Sequence, residues 1–303
     1  MSRIAFVNGR YLPLRQAAVH IEDRGFQFAD GVYEVCIVRE GRLIDEERHM
    51  RRLTRSLGEL EIRSPMRRSA LAVVVREVVR RNRVRDGVVY IQVTRGVAPR
   101  NHPFPPASVR PSLIVTARAT DLAAGEKSAA EGIAVITTPD IRWQRVDIKT
   151  LSLLPNVLAK QKAKEAGAVE AWLVDREGLV TEGASTNAWI VTPDGVLVTR
   201  GLGNEILRGV TRDVVLDLLR REGIRFEERG FTVGEALRAR EAFITSAGNL
   251  VMPVVRVDGR PIGSGRPGDL SLKLRRLFFS QAEWSPVEWS YGQVASGPNL
   301  SDK

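Results

Sequence analysis

At 303 residues, 43% of them hydrophobic, the chain is long enough for two domains or one large one and can bury a real core. A formal charge of +10 and a pI near 10.3 keep nucleic acid open as a partner, but the arginines are spread over several amphipathic segments and no RNA-binding, zinc-finger or helix-turn-helix signature accompanies them. An anionic small substrate steered by a positive field is the better expectation, and no apolar run approaches the ~20 residues of a membrane helix.

Met1-Ser-Arg-Ile4 enters a strand pattern at once, so no signal peptide is expected. The single cysteine, Cys36, cannot form an internal disulfide, and three scattered histidines offer no metal spacing, so a reduced, cytoplasmic setting is expected. Ile4 to Val7 and Arg10 to Leu14 flank Asn8-Gly9, a strong hairpin signal because both residues tolerate positive φ. Val32 to Val38 is β-rich and returns through Glu40-Gly41 to Arg42 to Ile44, after which Asp45 is placed to cap a helix with Met50, Leu53, Leu57 and Leu60 at helical spacing. A second helix is predicted over 69–83, then strands at Val88 to Thr94 and Leu113 to Ala117, joined by the stiff loop Pro99-Arg-Asn-His-Pro-Phe-Pro-Pro106. Asp121 to Glu131, rich in Ala, Gly and charge, reads as a linker.

Beyond it come a strand at Ile133 to Thr137, a helix over 153–165 ended by Gly167, and strands at Ala171 to Val174, Leu179 to Thr181, Asn187 to Val191 and Val196 to Val198. Gly209-Val-Thr-Arg-Asp213 opens another helix with Thr211 as a plausible cap. Strands at Ala242 to Thr245 and Val254 to Val257 and a helix over 268–280 follow. The pattern is α+β: domains at 1–120 and 132–282, a linker at 121–131, and a tail at 283–303.

Of the 46 basic residues only seven are lysines, so a lysine in an apolar setting asks for a reason. Lys149 lies among Val146, Ile148 and Leu151, where its ammonium would be partly desolvated; unlike arginine, lysine can lose a proton and attack a carbonyl. The bland alternative is a stem packed on apolar neighbours with its head in water. Glu182 on a strand end, Arg52, and the helix start at Val210-Thr211 are weak signals singly. Together with Lys149 they match what pyridoxal 5'-phosphate requires: an amine for its aldehyde, a counter-charge for its pyridine nitrogen, and donors for its phosphate. No Gly-x-Gly-x-x-Gly or Walker loop supports a nucleotide instead.

The segments Glu22-Asp-Arg-Gly-Phe-Gln-Phe-Ala-Asp-Gly-Val-Tyr-Glu-Val35, Gln92-Val-Thr-Arg-Gly96 with Arg100-Asn-His102, Asp140-Ile-Arg-Trp143, Asp147-Ile-Lys149, Thr181-Glu-Gly183 and Leu207-Arg-Gly-Val-Thr-Arg-Asp213 carry a resemblance to the D-amino-acid aminotransferases among the fold type IV pyridoxal-phosphate enzymes, over about residues 4–280. The resemblance implies a small N-terminal α/β domain and a larger C-terminal domain with a β pseudobarrel and helices. It implies that Lys149 holds the cofactor and shuttles the proton, and that Glu182 pairs with the pyridine nitrogen. Arg52 with Val210 and Thr211 would take the phosphate, aided by the amides of Ser246 and Ala247; Leu207 would pack on the ring and Ser185 would lie near it. Tyr33, Arg100 and His102 would bind the substrate carboxylate, the last two reaching in from the neighbouring subunit of a homodimer. Relatives often carry threonines where this chain has Ser246-Ala247-Gly248, so weaker cofactor retention is expected.

A carboxylate about 4 Å from a pyridinium at an effective dielectric of about 20 contributes ~4 kcal/mol, or roughly three pKa units, enough to keep the ring nitrogen protonated at neutral pH. The expected activity is transfer of an amino group from a D-amino acid of the D-alanine type to 2-oxoglutarate or pyruvate. A branched-chain L-amino acid or an (R)-amine is the alternative, with aminodeoxychorismate lyase further behind; no nucleic-acid or membrane partner is expected.

Overall fold

Asn8 and Gly9 take φ of 45° and 92°, the two left-handed conformations a tight hairpin turn needs, and join β1 (Ile4–Val7) to β2 (Arg10–Pro13). The computed structural model that shows this describes residues 3–287. A short helix α1 (Arg24–Phe28), capped by the Asp23 carboxylate, leads into β3 (Gly31–Arg39), which pairs with β4 (Arg42–Ile44) and, from Gly31 to Val38, with β5 (Gly87–Thr94). β6 (Ser112–Ala119) closes the gap between β5 and β1, making an antiparallel sheet. Helices α2 (Glu46–Glu59) and α3 (Arg68–Arg81) cover this sheet, because Met50, Leu53 and Leu57 on one and Leu71, Val75 and Val78 on the other recur at helical spacing and meet Val32, Cys36 and Val89 in one core.

The second sheet has ten strands and mixes parallel and antiparallel pairing. Helix α4 (Leu122–Glu131) leads to β7 (Ile133–Pro139), and α5 (Leu154–Glu165) precedes β8 (Glu170–Val174), β9 (Leu179–Gly183), β10 (Asn187–Val191) and β11 (Leu197–Thr199). After α6 (Val210–Arg221) come β12 (Phe226–Glu228), β13 (Phe231–Thr232), α7 (Val233–Arg238), β14 (Glu241–Ser246), β15 (Leu250–Val257), β16 (Arg260–Pro261) and α8 (Asp269–Gln281). Trp172 meets Phe231 edge-on in one core of this half, and Trp189 stacks on Phe243 in another.

Four local expectations are corrected. Asp45 stands at the N-cap position of α2, but its side chain does not cap the helix: it sits at φ 53° and its carboxylate accepts instead from the Glu283 amide, 3.0 Å away. Thr211 is the second residue of α6, whose N-cap is Gly209. The 121–131 segment, expected as a linker, is helical, because the Asp121 carboxylate caps it through the Ala124 amide. The start of the expected tail is ordered as well: β17 (Trp284–Pro286) pairs with β4 at the edge of the first sheet, which then runs β17-β4-β3-β5-β6-β1-β2. The rest of that tail, from residue 288, lies outside the described residues.

Candidate active site

Lys149 is carried by a segment stapled to the first sheet. Val32 and Thr150 form an isolated bridge, the Tyr33 amide donates to the Lys149 carbonyl at 3.0 Å, and Ile148 belongs to the core beneath α2. Arg55 on α2 grips the same segment through the Asp147 carboxylate and carbonyl, at 2.5 and 2.9 Å. The side chain of Lys149 is half-buried, with Nζ 4.3 Å from the Tyr33 ring centroid, and no carboxylate pairs with it among the described residues. Val146 and Ile148 flank it in the wall of a 310 Å³ cavity. The apolar setting expected of this lysine is therefore present.

Across that cavity, Glu182 comes from the second sheet, near the end of β9. It is 4% exposed. Oε1 accepts from Arg142 at 2.5 Å; Oε2 accepts from Asn187 Nδ2 at 2.9 Å and from the Leu207 amide at 3.1 Å. Three of about four carboxylate lone-pair sites are thus filled. Burial pushes the Glu182 carboxyl up to about 7 in spite of Arg142, whose charge and hydrogen bond pull the other way. Arg142 cannot do more because it is shared: Nε and a terminal nitrogen hold the two oxygens of Asp140, at 2.9 and 2.7 Å. Two carboxylates stand against one guanidinium, and a protonated pyridine nitrogen supplies the kind of charge that is short.

Another part of the cavity wall is built for an anion. Helix α6 begins at Gly209, and no side chain caps its first turn, which leaves the Val210 and Thr211 amides for a ligand. Gly209 is needed for packing: a Cβ there would meet Asn187 Oδ1 at 2.0 Å. Arg52 lines the same region and is itself fixed, with Nε and one terminal nitrogen on Glu34 at 2.7 and 2.9 Å and the other on the Arg208 carbonyl at 2.9 Å. Burial alone would raise the Glu34 carboxyl, but Arg52 and His49 Nδ1, 2.8 Å away, hold it well below the usual carboxylate range. The turn after β14 contributes Ser246, Ala247 and Gly248 to the cavity wall, with the Ser246 hydroxyl accepting from the Asn249 amide at 3.2 Å. An amine, a charge-deficient carboxylate and an uncapped helix start around one cavity fit pyridoxal 5'-phosphate.

Leu207, Ser185 and Tyr33 also line the cavity. Ser185 donates to the buried Glu170 at 2.7 Å, and Tyr33 stacks on Tyr90. Arg100 and His102 are elsewhere. Both are exposed and rest on Phe28, at 4.7 Å from the guanidinium carbon to the ring centroid and 5.5 Å between ring centroids, away from the cavity of their own chain.

The residues that sequence reasoning missed are the partners. Arg142 and Asn187 hold Glu182, and Glu34, itself held by His49, fixes Arg52. Glu34 had a readable signal: Val32, Glu34, Cys36 and Val38 share one face of β3, and all four are fully buried, so a charge in that register demands a cation. Arg142 had only its spacing from Asp140.

The profile of the family described as amino-transferase class IV matches residues 31–257. A D-alanine aminotransferase of Bacillus licheniformis is 45% identical over 87% of this chain and 92% of its own length. One of Listeria innocua is 37% identical over 95% and 99%. Among solved structures, a T.th. branched-chain amino acid aminotransferase complexed with N-(5'-phosphopyridoxyl)-L-glutamate superposes with a TM-score of 0.86 at 25% identity, covering 95% of this chain and 99% of that one. The Escherichia coli branched-chain enzyme, at 23% identity and a TM-score of 0.87 over 95% of this chain and all of that one, shares the fold.

Proposed function

Because the chain belongs to the class IV aminotransferases, we propose that it moves the amino group of a D-amino acid of the D-alanine type to a 2-oxo acid, 2-oxoglutarate or pyruvate, by ping-pong turnover. Its cofactor is pyridoxal 5'-phosphate. The observation that carries the reading is the convergence of Lys149, Glu182 and an uncapped helix start on one cavity. When bound, the cofactor supplies an aldehyde for the amino group and a ring that draws electrons from the substrate Cα. Lys149 holds the cofactor through Nζ and then serves as the base that takes and returns the Cα proton. Glu182, fixed by three donors, keeps a proton on the ring nitrogen. Arg52, the Val210 and Thr211 amides and those of Ser246 and Ala247 would hold the phosphate, and Leu207 and Ser185, which line the same cavity, would face the ring.

Substrate capture is assigned to Tyr33 of the same chain and to Arg100 and His102 of a second copy, which makes the working unit a homodimer. Two observations support this. Arg100 and His102 are remote from their own chain's cavity, and Ile21, Phe26 and Phe104 near them are left exposed, as are Leu154, Val157 and Leu158 at the start of α5. Refolding Lys149→Ala together with Arg100→Ala should create sites with both groups intact and raise activity above the average of the parents. No gain despite subunit exchange would place the whole site in one chain. A cytoplasmic setting is the companion expectation, from a lone buried thiol, Cys36; no helix among the described residues is long and apolar enough to cross a membrane.

The second reading, a branched-chain L-amino-acid transaminase, is favoured by the fold likeness at 25% identity; the D-alanine aminotransferases stand at 37–45%. The visible spectrum of the purified protein separates the two. D-alanine should bleach the cofactor band and a 2-oxo acid should restore it; bleaching by L-leucine and not by D-alanine would move the substrate to the second class.

A further inference from the structure

Arg24 is 4% exposed, yet it lies outside the cavity. Its guanidinium is fully directed. Nε donates to Asp30 at 2.7 Å, one terminal nitrogen to the Asn101 carbonyl at 2.6 Å, and the other to the His102 carbonyl at 3.2 Å. The same group lies 4.8 Å from the centroid of Phe28, the ring on which both Arg100 and His102 rest. Asp30 is in turn held by Arg95 Nε at 2.8 Å, and Arg95 is moored to the Leu60 and Glu61 carbonyls at the end of α2. A buried arginine aimed at two consecutive carbonyls of an otherwise exposed loop does more than fill space. Prolines 99, 103, 105 and 106 stiffen that loop, and Arg24 fixes its height and orientation on the body of the protein at residues 101 and 102.

We propose that Arg24, braced by Asp30, is the positioning residue of the substrate-carboxylate loop: it sets where Arg100 and His102 stand, and so governs affinity for the carboxylate without touching substrate or cofactor. This rests on the reading of Arg100 and His102 as carboxylate ligands. It places a determinant of substrate affinity in α1, remote from the lysine that performs the chemistry, and gives that short helix a function beyond joining strands.

The test is a double-mutant cycle on the holoenzyme with D-alanine as substrate, reading KM, kcat and cofactor affinity separately. Arg24→Met should raise KM about tenfold or more, the scale of losing hydrogen bonds to a charged donor, and leave kcat and pyridoxal-phosphate affinity near native values. Arg24→Lys should recover part of the loss, because an ammonium reaches one carbonyl but cannot span two. In an Arg100→Ala background, Arg24→Met should add much less than it does alone. Equal effects in both backgrounds, or parallel losses of kcat and cofactor affinity, would make Arg24 a general structural residue and overturn the proposal. If Arg24→Met fails to fold, Arg24→Lys and Asp30→Asn carry the same cycle. An unchanged KM in Arg100→Ala alone would instead overturn the assignment of the carboxylate ligands, a failure distinct from an Arg24 effect that is simply additive.

Discussion

Glu34 and Glu182 are both buried carboxylates gripped by an arginine, and they titrate in opposite directions: Glu34 is held well below the usual range and Glu182 is pushed up to about 7. Burial opposes ionisation at both, so the difference lies in the partners. Arg52 gives Glu34 two parallel N–H bonds and faces no other carboxylate among the described residues, and His49 adds a third contact. Arg142 gives Glu182 a single bond because its fork is engaged by Asp140. The first site is a finished ion pair, which fixes Arg52 in place before any ligand arrives. The second is one positive charge short, a deficit that a proton or a cationic ligand can fill. The same residue types thus make a rigid bracket at one point of the cavity wall and a receptor at another.

Removing the amine between the two sides gives the largest expected effect. Lys149→Ala should lower turnover by on the order of 10³-fold or more, because among the described residues no other lysine lines the cavity. Both carboxylate pairs should survive, so its apoprotein should melt within about a degree of native; normal turnover would sink the assignment. Arg52→Met breaks the finished pair and leaves Glu34 buried with only His49, a change that costs about 3–5 kcal/mol where a buried charge loses its partner. Urea unfolding of the apoprotein measures it, and a loss under about 1 kcal/mol would mean that water already reaches Glu34.

Glu182→Gln is the milder test and the one with a pH signature. The amide can still reach the ring nitrogen but cannot hold its proton, so the half-reaction with D-alanine should slow by roughly 10²-fold in single-turnover measurements. An unchanged rate would reduce Glu182 to a turn residue. In the apoprotein the sign follows from the raised carboxyl. Between its ordinary 4.5 and about 7 the folded chain holds a proton that the unfolded chain has released. This contribution to stability is full below 4.5 and is lost as pH rises through about 7. Asp45, raised to about 6 by burial, acts with the same sign. Native stability minus Glu182→Gln stability, followed from about pH 4.5 to about pH 8, isolates the Glu182 part; a flat difference would mean that the carboxylate is ionised throughout.

Most elements were legible because their signals are local: the Asn8-Gly9 turn, the spacing of Met50, Leu53 and Leu57, and the β-branched runs of β3 and β5. So was the shortlist of chemical groups, since a lysine among apolar neighbours is conspicuous in an arginine-rich chain. What stayed hidden depends on contacts between distant residues. Asp45 is followed by a good helix and looks like a cap, but the amide it serves is that of Glu283, 238 positions away. Thr211 looks like a cap because nothing local reveals that Asn187 approaches Gly209 too closely for a side chain at that position. The sharing of Arg142 between Asp140 and Glu182, on which the titration of the site depends, joins three residues from two separate strand ends.

The pairing of Trp284–Pro286 with β4 also sets an order of events during synthesis. Asp45 and Glu283 exchange hydrogen bonds in both directions, at 2.8 and 3.0 Å, so the edge of the sheet built first is sealed by residues made 238 positions later. While the second half is emerging from the ribosome, the first sheet must wait with the outer side of β4 unpaired, a ready template for a strand from another nascent chain. That edge is only three residues long and begins at the charged Arg42, which keeps the template short and makes mispairing less rewarding.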